Sequence, residues 1–444
     1  MALLISNQDV ERVLDMNICL EAIEAGIKEY YRGDATCRPR IDVWAPSGDP
    51  RGYYQWGSME GTSRRYGVFA TRIKSDIAYW TEGEGGVRTQ EKYCQRPGLF
   101  CGLILLFSTE NGEPLAVMND GYLQHMRVGA TAGIAAKYLA REDADTVAMI
   151  GSGSMAFTHA LAFAAVRKIK RIQVYSPTKK NREVYAQNMA ARLGIEVIPV
   201  GSAADAVKGA QIVSACTDSI VPVLPGRSIE AGAFVSTVKG TVEIDGSCTE
   251  RIRTFYTFAP NNDSFSESQG EEVSRAQKIS GTHRAYVAGQ PEDLVRIPEV
   301  QREGGFDKRK LVSFKDLFTA GTPGRRDAEE ILAVGGNQIQ GIQFASVGGA
   351  TYRLAKEQGL GREFPTEWLL QDVRNWVVVL LEYWSDGYDK SIKNIKSDFT
   401  VEHVAFNRNC LPYRWIGNSY FGGRVESLLA GRVGAHGAGG GEGR

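Results

Sequence analysis

Residues 145–157, with the sequence DTVAMIGSGSMAF, decide the fold prediction, because an apolar run leads directly into closely spaced small residues. The apolar run is typical of a buried β-strand, and Gly151, Gly153 and Ala156 follow it in the spacing G-x-G-x-x-A. The first glycine permits a tight turn, the second lets the backbone approach a pyrophosphate, and the small third residue lets a helix pack closely on the strand. A helix that begins near Ser154 would point free N–H groups at that pyrophosphate. The stretch therefore predicts a dinucleotide-binding turn.

The chain after this turn alternates between short apolar runs and helical segments. The predicted β-strands lie at 146–151, 171–176, 196–200, 211–216, 233–238 and 254–259. Strands that alternate with helices are typical of a doubly wound parallel sheet. This part of the chain is therefore predicted to be α/β.

The chain before the turn has a different pattern. Two short amphipathic helices are predicted at 7–31, and the charged, glycine-containing stretch 80–96 predicts a loop. The predicted β-strands in this region lie at 53–59, at 66–76 and in a hairpin at 102–121. Asn111 and Gly112 are the residues expected at the tip of that hairpin. This region is therefore predicted to be α+β.

The bulk composition excludes several classes of protein. Lys and Arg total 52 residues and balance 52 Asp and Glu, so no net charge attracts nucleic acid or an anionic membrane. The N-terminus does not read as a secretory signal, and no apolar run approaches the ~18–20 residues of a membrane span. Seven cysteines form no C-x-x-C pair and the five histidines are scattered, which predicts reduced thiols in a cytoplasmic protein without a metal site.

The choice of dinucleotide is predicted from Ser176, which closes the second strand of the α/β part. An acid at this position, about 20 residues past the glycines, binds the ribose 2′-hydroxyl of NAD. In this chain a serine is followed by the cations Lys179, Lys180 and Arg182. Hydroxyls and cations accept a 2′-phosphate that an acid would repel, so NADP is predicted, with NAD as the alternative. The same cations also suit the solvated first turn of a helix.

Residues 124–141, QHMRVGATAGIAAKYLAR, resemble a stretch of the ornithine cyclodeaminase/μ-crystallin family, which includes alanine dehydrogenases and ketimine reductases. Further stretches that resemble the family follow its order, at 112–121, 151–156, 214–224, 232–240, 323–331 and 346–350. The resemblance covers residues 1–260 and 310–361, and the chain from Pro365 onward exceeds the usual family length.

The resemblance implies a fold of two domains. A Rossmann domain with a doubly wound parallel sheet is expected at 129–361. An α+β substrate-binding and dimerisation domain is expected from both ends of the chain, at 1–128 and 362–430. The aromatic-rich segment 368–383 predicts a long helix. The aromatic-rich extension from Pro365 onward is expected to pack on this domain or thicken a dimer interface, or else to wall the substrate pocket. The glycine-rich residues 431–444 predict a disordered tail.

Two arginines are the expected carboxylate clamp. Arg127 matches the substrate arginine of the family, and Arg40 in the tripeptide RPR matches its N-terminal partner. A guanidinium binds a carboxylate through two parallel hydrogen bonds and keeps its charge at every working pH. The alternative for each arginine is an ordinary surface salt bridge.

The family lysine falls in a stretch that departs from the pattern. The sequence GVFATRIKSD places Arg72 in the lysine position, and Lys74 lies two residues further on. Side chains alternate along a strand, so both are expected on the same face. An arginine cannot act as a general acid at neutral pH, whereas a desolvated lysine can. Lys74 is therefore the predicted proton donor and Arg72 a second anion anchor, against the alternative of a purely structural strand.

A second departure concerns an aspartate. The resemblance implies one after the glycine that corresponds to Gly240, where cyclodeaminases activate an amine or a water. This chain has Thr241 there, and the nearest acids are Glu243 and Asp245. Either acid would be a replacement, but both also suit the start of the next helix, where acids interact favourably with its dipole. The change disfavours ornithine cyclisation with loss of ammonia.

The predicted dinucleotide contacts extend beyond the glycine-rich turn, with Thr217 and Val238 at later strand ends on the nicotinamide side. The complete predicted set is Gly151, Ser152, Gly153, Ser154, Met155, Ala156, Ser176, Thr178, Lys179, Thr217, Val238 and Ser346.

The predicted function is an NAD(P)H-dependent reductase, a homodimer that acts on the C=N bond of a small carboxylate-bearing imine or on the CH–NH bond of an amino acid. One alternative is an ammonia lyase of the cyclodeaminase type with bound NAD. The other is a non-catalytic, NADP-dependent protein that binds a small ligand, as μ-crystallin does.

Overall fold

The structure is a computed structural model that describes residues 1–83, 86–259, 284–298, 303, 307–335 and 338–371. All of these residues except Gln371 belong to one compact unit, Met1–Leu370. Of the helix predicted at 368–383, the described part is a 3₁₀ turn at Thr366–Leu369. The remainder of that helix and the predicted tail at 431–444 lie outside the described residues.

Eighteen β-strands form in the described chain and are numbered from the N-terminus. They are β1 (Ala2–Ile5), β2 (Ile41–Pro46), β3 (Gly52–Ser63), β4 (Val68–Glu82), β5 (Arg88–Cys94), β6 (Arg96–Pro97), β7 (Gly102–Ser108), β8 (Pro114–Asn119), β9 (Thr146–Ile150), β10 (Arg171–Tyr175), β11 (Glu196–Pro199), β12 (Ile212–Ala215), β13 (Phe234–Thr237), β14 (Thr254–Thr257), β15 (Arg284–Val287), β16 (Leu311–Ser313), β17 (Leu332–Gly335) and β18 (Arg362–Phe364).

The α-helices are numbered in the same way. They are α1 (Asn7–Val13), α2 (Met16–Arg32), α3 (Gly121–Leu139), α4 (Ser154–Val166), α5 (Lys179–Leu193), α6 (Ala203–Val207), α7 (Gly246–Arg251), α8 (Pro291–Leu294), α9 (Lys315–Thr319) and α10 (Gln340–Glu357). None of the helices in the described part of the chain is both long enough and apolar enough to cross a membrane.

The second sheet confirms the predicted Rossmann architecture. Its strand order is β11-β10-β9-β12-β13-β17-β14-β16, and every pairing within it is parallel. All six strands predicted in this part of the chain are present, because short β-branched and apolar runs between helices are the pattern of a sheet covered on both faces.

The first sheet is mixed and joins distant parts of the chain. Its order is β15-β2-β3-β4-β7-β8-β1-β18, with β5 beside β4 and β6 beside β5. The β7–β8 hairpin confirms the prediction at 102–121, and Gly112 adopts a positive φ of 81° in its turn. The two N-terminal helices are also confirmed, as α1 and α2.

The loop predicted at 80–96 is wrong. Strand β4 continues to Glu82, and β5 pairs with it in antiparallel register from Ile77↔Tyr93 to Glu82↔Arg88. The aromatic and Thr residues of the two strands favour the extended pairing, and Gly86 lies between the strands at a positive φ of 74°. The segment is therefore a β-ribbon that lengthens the first sheet.

Two elements within residues 129–361 pack with the first sheet. Strand β15 pairs in parallel with β2, and α10 lies across β3 and against α2. The helix approaches so closely that a Cβ on Gly341 would collide with the carbonyl of Glu60.

Helix α3 links the two sheets through a shared core. Thirteen of its 19 residues are buried, and it packs against both α2 and α4. Small residues such as Gly129, where a Cβ would collide with the carbonyl of Thr158 on α4, permit this close contact. A helix that is apolar around most of its circumference belongs inside the molecule. Helix α3 therefore places its one arginine, Arg127, between the two sheets.

Candidate active site

The glycine-rich turn has the geometry of a phosphate cradle. Gly151 has a φ of 111°, and a Cβ there would collide with the carbonyl of Cys216 at the end of β12. Helix α4 begins directly afterwards at Ser154, and no side chain caps its N-terminus. A Cβ on Gly153 would meet no atom within 4 Å, so the space in front of the free N–H groups is open. The turn therefore fits a dinucleotide pyrophosphate.

Ser176 lies directly after β10 and beside this turn. Its hydroxyl accepts a hydrogen bond from Ser152 Oγ at 2.9 Å. Arg182 donates to the carbonyls of Ser176 at 2.8 Å and Pro177 at 3.0 Å, which holds its guanidinium at the end of the strand. Lys179 is exposed at the first position of α5, where Thr178 is the uncapped N-cap residue. Ser176, Thr178 and Lys179, the residues predicted around the ribose, thus lie together at the C-terminal end of β10.

Glu243 organises the loops on the other side of the turn. Its buried carboxylate accepts from Thr217 N at 2.9 Å, Thr217 Oγ1 at 2.7 Å and Lys239 N at 2.7 Å. Burial raises its pKa to about 7. The carboxylate therefore joins the loops that follow β12 and β13, while Asp245 caps α7 through Cys248 N, as its position before a helix predicts.

Arg127 projects from the middle of α3 and is completely enclosed. Its guanidinium donates to Gln343 Oε1 at 2.8 Å and to Gln124 Oε1 at 2.8 and 3.2 Å, and lies 4.6 Å from the ring centre of Phe344. Burial, and then the charge of Arg72, hold its pKa well below the ordinary value. The structure therefore holds a cation in a low-polarity setting between the two sheets.

Arg72 lies close to the same phenylalanine ring, 5.6 Å from its centre. Its Nε and Nη2 contact one oxygen of Asp120 at 2.6 and 2.5 Å. The carboxylate of Asp120 fills the space above Gly102, where a Cβ would collide with it. The predicted anion anchor is thus engaged by an internal acid that precedes α3.

Lys74 lies on the same face of β4 as Arg72, as predicted from the alternation of the strand. Its Nζ donates to Gln55 Oε1 at 2.5 Å and to Asp76 Oδ2 at 3.1 Å. A Cβ on Gly57, the cross-strand neighbour, would lie only 3.1 Å from Lys74 Cε, so this glycine leaves room for the lysine stem. Burial, and then the charges of Lys92 and Arg40, hold the pKa of Lys74 well below its ordinary value.

A hydrogen-bond chain connects Lys74 to the second predicted arginine. Gln55 donates to Asp42 at 2.8 Å, and Asp42 accepts two bonds from Arg40 at 2.8 and 3.0 Å. The pKa of Arg127 is lowered by the charges of both Arg72 and Arg40, which places these groups in one electrostatic cluster. Arg40, Arg72, Lys74 and Arg127 are therefore brought together.

Several residues of this cluster do not appear in the sequence predictions. They are Asp42, Gln55, Asp76, Lys92 and Asp120. Asp76 could have been predicted, because side chains alternate along β4 and Asp76 lies two residues beyond Lys74, on the same face. The other four come from different elements, and no local spacing relates them to Lys74.

Ser346 is not brought to the glycine-rich turn. It is completely buried in α10 and faces α2, where a Cβ on Gly26 would collide with its hydroxyl. The small side chain permits two helices to approach. The described contact of Ser346 is therefore a packing contact, and its place in the predicted dinucleotide set stays a prediction.

The fold and site define a class of protein: an α/β protein with a Rossmann sheet, a mixed sheet and a buried cationic site between them. The model of the Ornithine cyclodeaminase/mu-crystallin family matches residues 96–345. The chain belongs to this family.

Two curated relatives illustrate the similarity. The chain is 32% identical to a Delta(1)-pyrroline-2-carboxylate reductase of Bacillus cereus (strain ATCC 10987 / NRS 248) over 260 residues, which cover 59% of this chain and 73% of the relative. It is 28% identical to the ketimine reductase mu-crystallin of Macropus fuliginosus over 235 residues, 52% of this chain and 69% of the relative.

Solved structures share the fold. The Thermococcus litoralis Delta(1)-pyrroline-2-carboxylate reductase in complex with NADH and L-proline superposes with a TM-score of 0.62 at 22% identity, over 82% of this chain and 100% of that one. An archaeal alanine dehydrogenase dimer with bound NAD gives 0.61 at 20% identity, over 82% and 99%. This chain is thus longer than both.

Proposed function

We propose that the protein is an NAD(P)H-dependent reductase of the C=N bond in small imines that carry a carboxylate, and that the reverse reaction oxidises the corresponding amino acids. The observation that carries this proposal is Lys74, a buried ammonium hydrogen-bonded to Gln55 and Asp76 within the same charge cluster as Arg40 and Arg127. One proton donor beside two guanidinium groups suits a substrate with one basic nitrogen and one carboxylate.

Arg127 and Arg40 form the proposed carboxylate clamp. The amides of Gln124 and Gln343 accept hydrogen bonds from the Arg127 guanidinium and orient it. Arg40 is held by Asp42, and its side chain is 18% exposed, which leaves an edge for a ligand. Electrostatic attraction is stronger in this buried setting than in water.

Lys74 is the proposed proton donor. As a hydride reaches the imine carbon, the nitrogen gains an electron pair and takes a proton from Lys74 Nζ, so that C=N becomes CH–NH. The lowered pKa favours this transfer, because the ammonium gives up its proton more readily than an exposed lysine does. Asp76 and Gln55 orient the ammonium.

The dinucleotide supplies the hydride when bound, and the residues of the glycine-rich turn fit its pyrophosphate. Gly151, Gly153 and the uncapped start of α4 would hold the phosphates, and Thr217 and Val238 would contact the nicotinamide. The position of Thr217 is set by Glu243, whose carboxylate is already engaged by three donors. Glu243 is therefore a positioning residue, which disfavours a cyclodeaminase that needs a free acid there.

The test of this function is turnover with a panel of substrates. Oxidation of NADPH and NADH would be measured with 2-oxo acids plus ammonia or methylamine, and with cyclic imino acids. We expect one reduced dinucleotide to be consumed for each amine formed, because the hydride ends on the substrate carbon. The product would be quantified alongside the absorbance change.

Two other results would reject the proposal. Ammonia release from ornithine without net consumption of dinucleotide would identify a cyclodeaminase. Dinucleotide binding without turnover of any substrate would identify a binding protein.

NADP is the proposed cofactor, with NAD as the alternative, and Ser176→Asp tests the choice. A carboxylate at this position accepts hydrogen bonds from a free ribose and repels a 2′-phosphate. We expect the ratio of kcat/KM for NADPH over NADH to fall by about 10- to 100-fold. This fall corresponds to the free energy of one hydrogen bond to a charged group. Asn188→Asp, which makes the same charge change at an exposed position of α5, is the control. An unchanged ratio in Ser176→Asp would reject the assignment.

The assembly proposed for this function follows the family. The first sheet, with residues 1–128 and 362–430, would bind substrate and form a homodimer, and residues 129–361 would carry the dinucleotide. We propose that the enzyme acts in the cytoplasm on free small molecules, with no nucleic acid or membrane partner.

A further inference from the structure

The β4–β5 ribbon adds a second lysine to the site. In the antiparallel register Lys92 is the partner of Ala78, and Gln90 is the partner of Trp80. Cross-strand partners share a face of the sheet, so Lys92 and Gln90 lie on the face that carries Lys74. The segment 80–96, which was predicted to be a loop, therefore places the Lys92 cation on the same face as Lys74.

Lys92 differs in its surroundings from the three other cations of the cluster on the first sheet. Arg40, Arg72 and Lys74 form ion pairs with Asp42, Asp120 and Asp76, respectively. Lys92, by contrast, makes no hydrogen bond or ion pair with any residue that the structure describes.

The charged groups that surround Lys92 have both signs. The cations are Arg40, Lys74 and Lys239, and the acids are Asp42, Asp76 and Asp218. Burial, and then the charge of Arg40, lower the pKa of Lys92. The ammonium is therefore in an environment that a further anion would stabilise.

Three more donors on this face lack acceptors within the described part of the chain. The indole N–H groups of Trp44 and Trp80 and the amide N–H₂ of Gln90 are buried there without hydrogen bonds. The two indole rings stack with centres 6.3 Å apart and an angle of 14°. Buried donors are nearly always paired in folded proteins, and an unpaired one is destabilising. These three donors and the Lys92 ammonium lie on one face of the first sheet, and none of them donates a hydrogen bond to a described residue.

Strand β5 also touches the dinucleotide half of the molecule. Gln90 N donates to the Asp218 carbonyl at 3.0 Å, and Ile220 N donates to the Arg88 carbonyl at 2.8 Å. Lys239 Nζ donates to the same Asp218 carbonyl at 2.7 Å. The loop 217–221 that begins with the proposed nicotinamide contact Thr217 is thus tied to the strand that carries Lys92. An anion held by Lys92 would therefore lie on the face of the first sheet that carries Lys74, next to the loop that begins at Thr217.

We propose that Lys92, with the N–H groups of Gln90, Trp44 and Trp80, binds a second carboxylate at the far end of the substrate. The preferred substrates are then imines of dicarboxylic 2-oxo acids and the matching dicarboxylic amino acids. One cation and several neutral donors match a singly charged carboxylate better than a phosphate dianion, which needs more positive charge. This inference rests on the proposed reductase function and names its substrate class.

The test compares oxaloacetate or 2-oxoglutarate with pyruvate, each with methylamine and NADPH or NADH. We expect the wild-type protein to have the higher kcat/KM for the dicarboxylates. Lys92→Met should lower the dicarboxylate-to-pyruvate ratio of kcat/KM by about 10- to 100-fold, mainly through KM, since it removes one charged hydrogen bond. Arg88→Met, which removes an exposed cation from the same strand, should leave the ratio unchanged. A wild-type preference for pyruvate, or an equal ratio in Lys92→Met, would overturn the subsite.

Binding separates this inference from the function on which it rests. Thermal protection of the dinucleotide-loaded protein by L-aspartate and by L-alanine would be measured for the wild type and for Lys92→Met. Stronger protection by aspartate that disappears in Lys92→Met supports the subsite even without turnover, in which case only the reductase proposal fails. Equal protection by the two amino acids overturns the subsite.

Discussion

Replacing Arg127 by methionine is expected to lower kcat/KM for imine reduction by about a thousandfold. The substrate carboxylate would lose its buried bidentate partner, and an unpaired charge in a low-polarity site costs about 3–5 kcal/mol, where each 1.4 kcal/mol is a factor of ten. Methionine is shorter than arginine but keeps an unbranched apolar stem, so packing beside Phe344 is partly kept. The measurement is steady-state kinetics with the best substrate of the panel.

Dinucleotide binding separates this clamp from a structural role of Arg127. The guanidinium also holds Gln124 and Gln343, so a general loosening of the site would weaken every ligand. We expect the dinucleotide Kd and the thermal stability of Arg127→Met to stay close to those of the wild type. A loss in kcat/KM below tenfold would contradict the clamp, and an equal loss of dinucleotide affinity would indicate a structural role.

Removing the amine of Lys74 is expected to lower kcat by about 10²- to 10⁴-fold, the range for loss of a general acid. Lys74→Met deletes the proton source, and Lys74→Arg keeps the charge but cannot release a proton at working pH. Both variants should therefore lose turnover, whereas Lys74→Arg should keep its substrate affinity. If Lys74→Met retains kcat, the proton comes from another group.

The pH dependence gives an independent check on Lys74. Imine reduction needs the protonated donor, so kcat should fall as pH rises through the pKa of Lys74. Burial and the charges of Lys92 and Arg40 place that pKa below the value of a free lysine, so the fall begins at a lower pH than for an exposed amine. In the direction of amino-acid oxidation the same group accepts the proton, and the rate should rise with pH. A flat profile in both directions would contradict the assignment.

The local periodicity of the sequence accounts for much of the fold. Period-2 alternation predicted correctly that Arg72 and Lys74 share a face, because side chains on a strand must alternate whatever surrounds them. The loop prediction at 80–96 was wrong because it relied on charge and glycine content and gave no weight to the aromatic and Thr residues of the two strands. That ribbon is stable because β4 and the loop after β12 supply its hydrogen bonds, and the second of these is far away in sequence.

The sequence by itself determined the glycine-rich turn, the positions of six of the eight parallel strands along the chain and the shared face of Arg72 and Lys74. Those features depend on neighbouring residues, since a glycine spacing or an apolar period acts within one strand and one helix. Only the tertiary structure decided that Asp120 holds Arg72, because these residues are 48 positions apart in the sequence. It likewise decided that Gln55 joins Lys74 to Asp42. It also decided that none of the described acids forms an ion pair with Lys92. Pairing across strands depends on register and burial, which arise only when distant segments pack together.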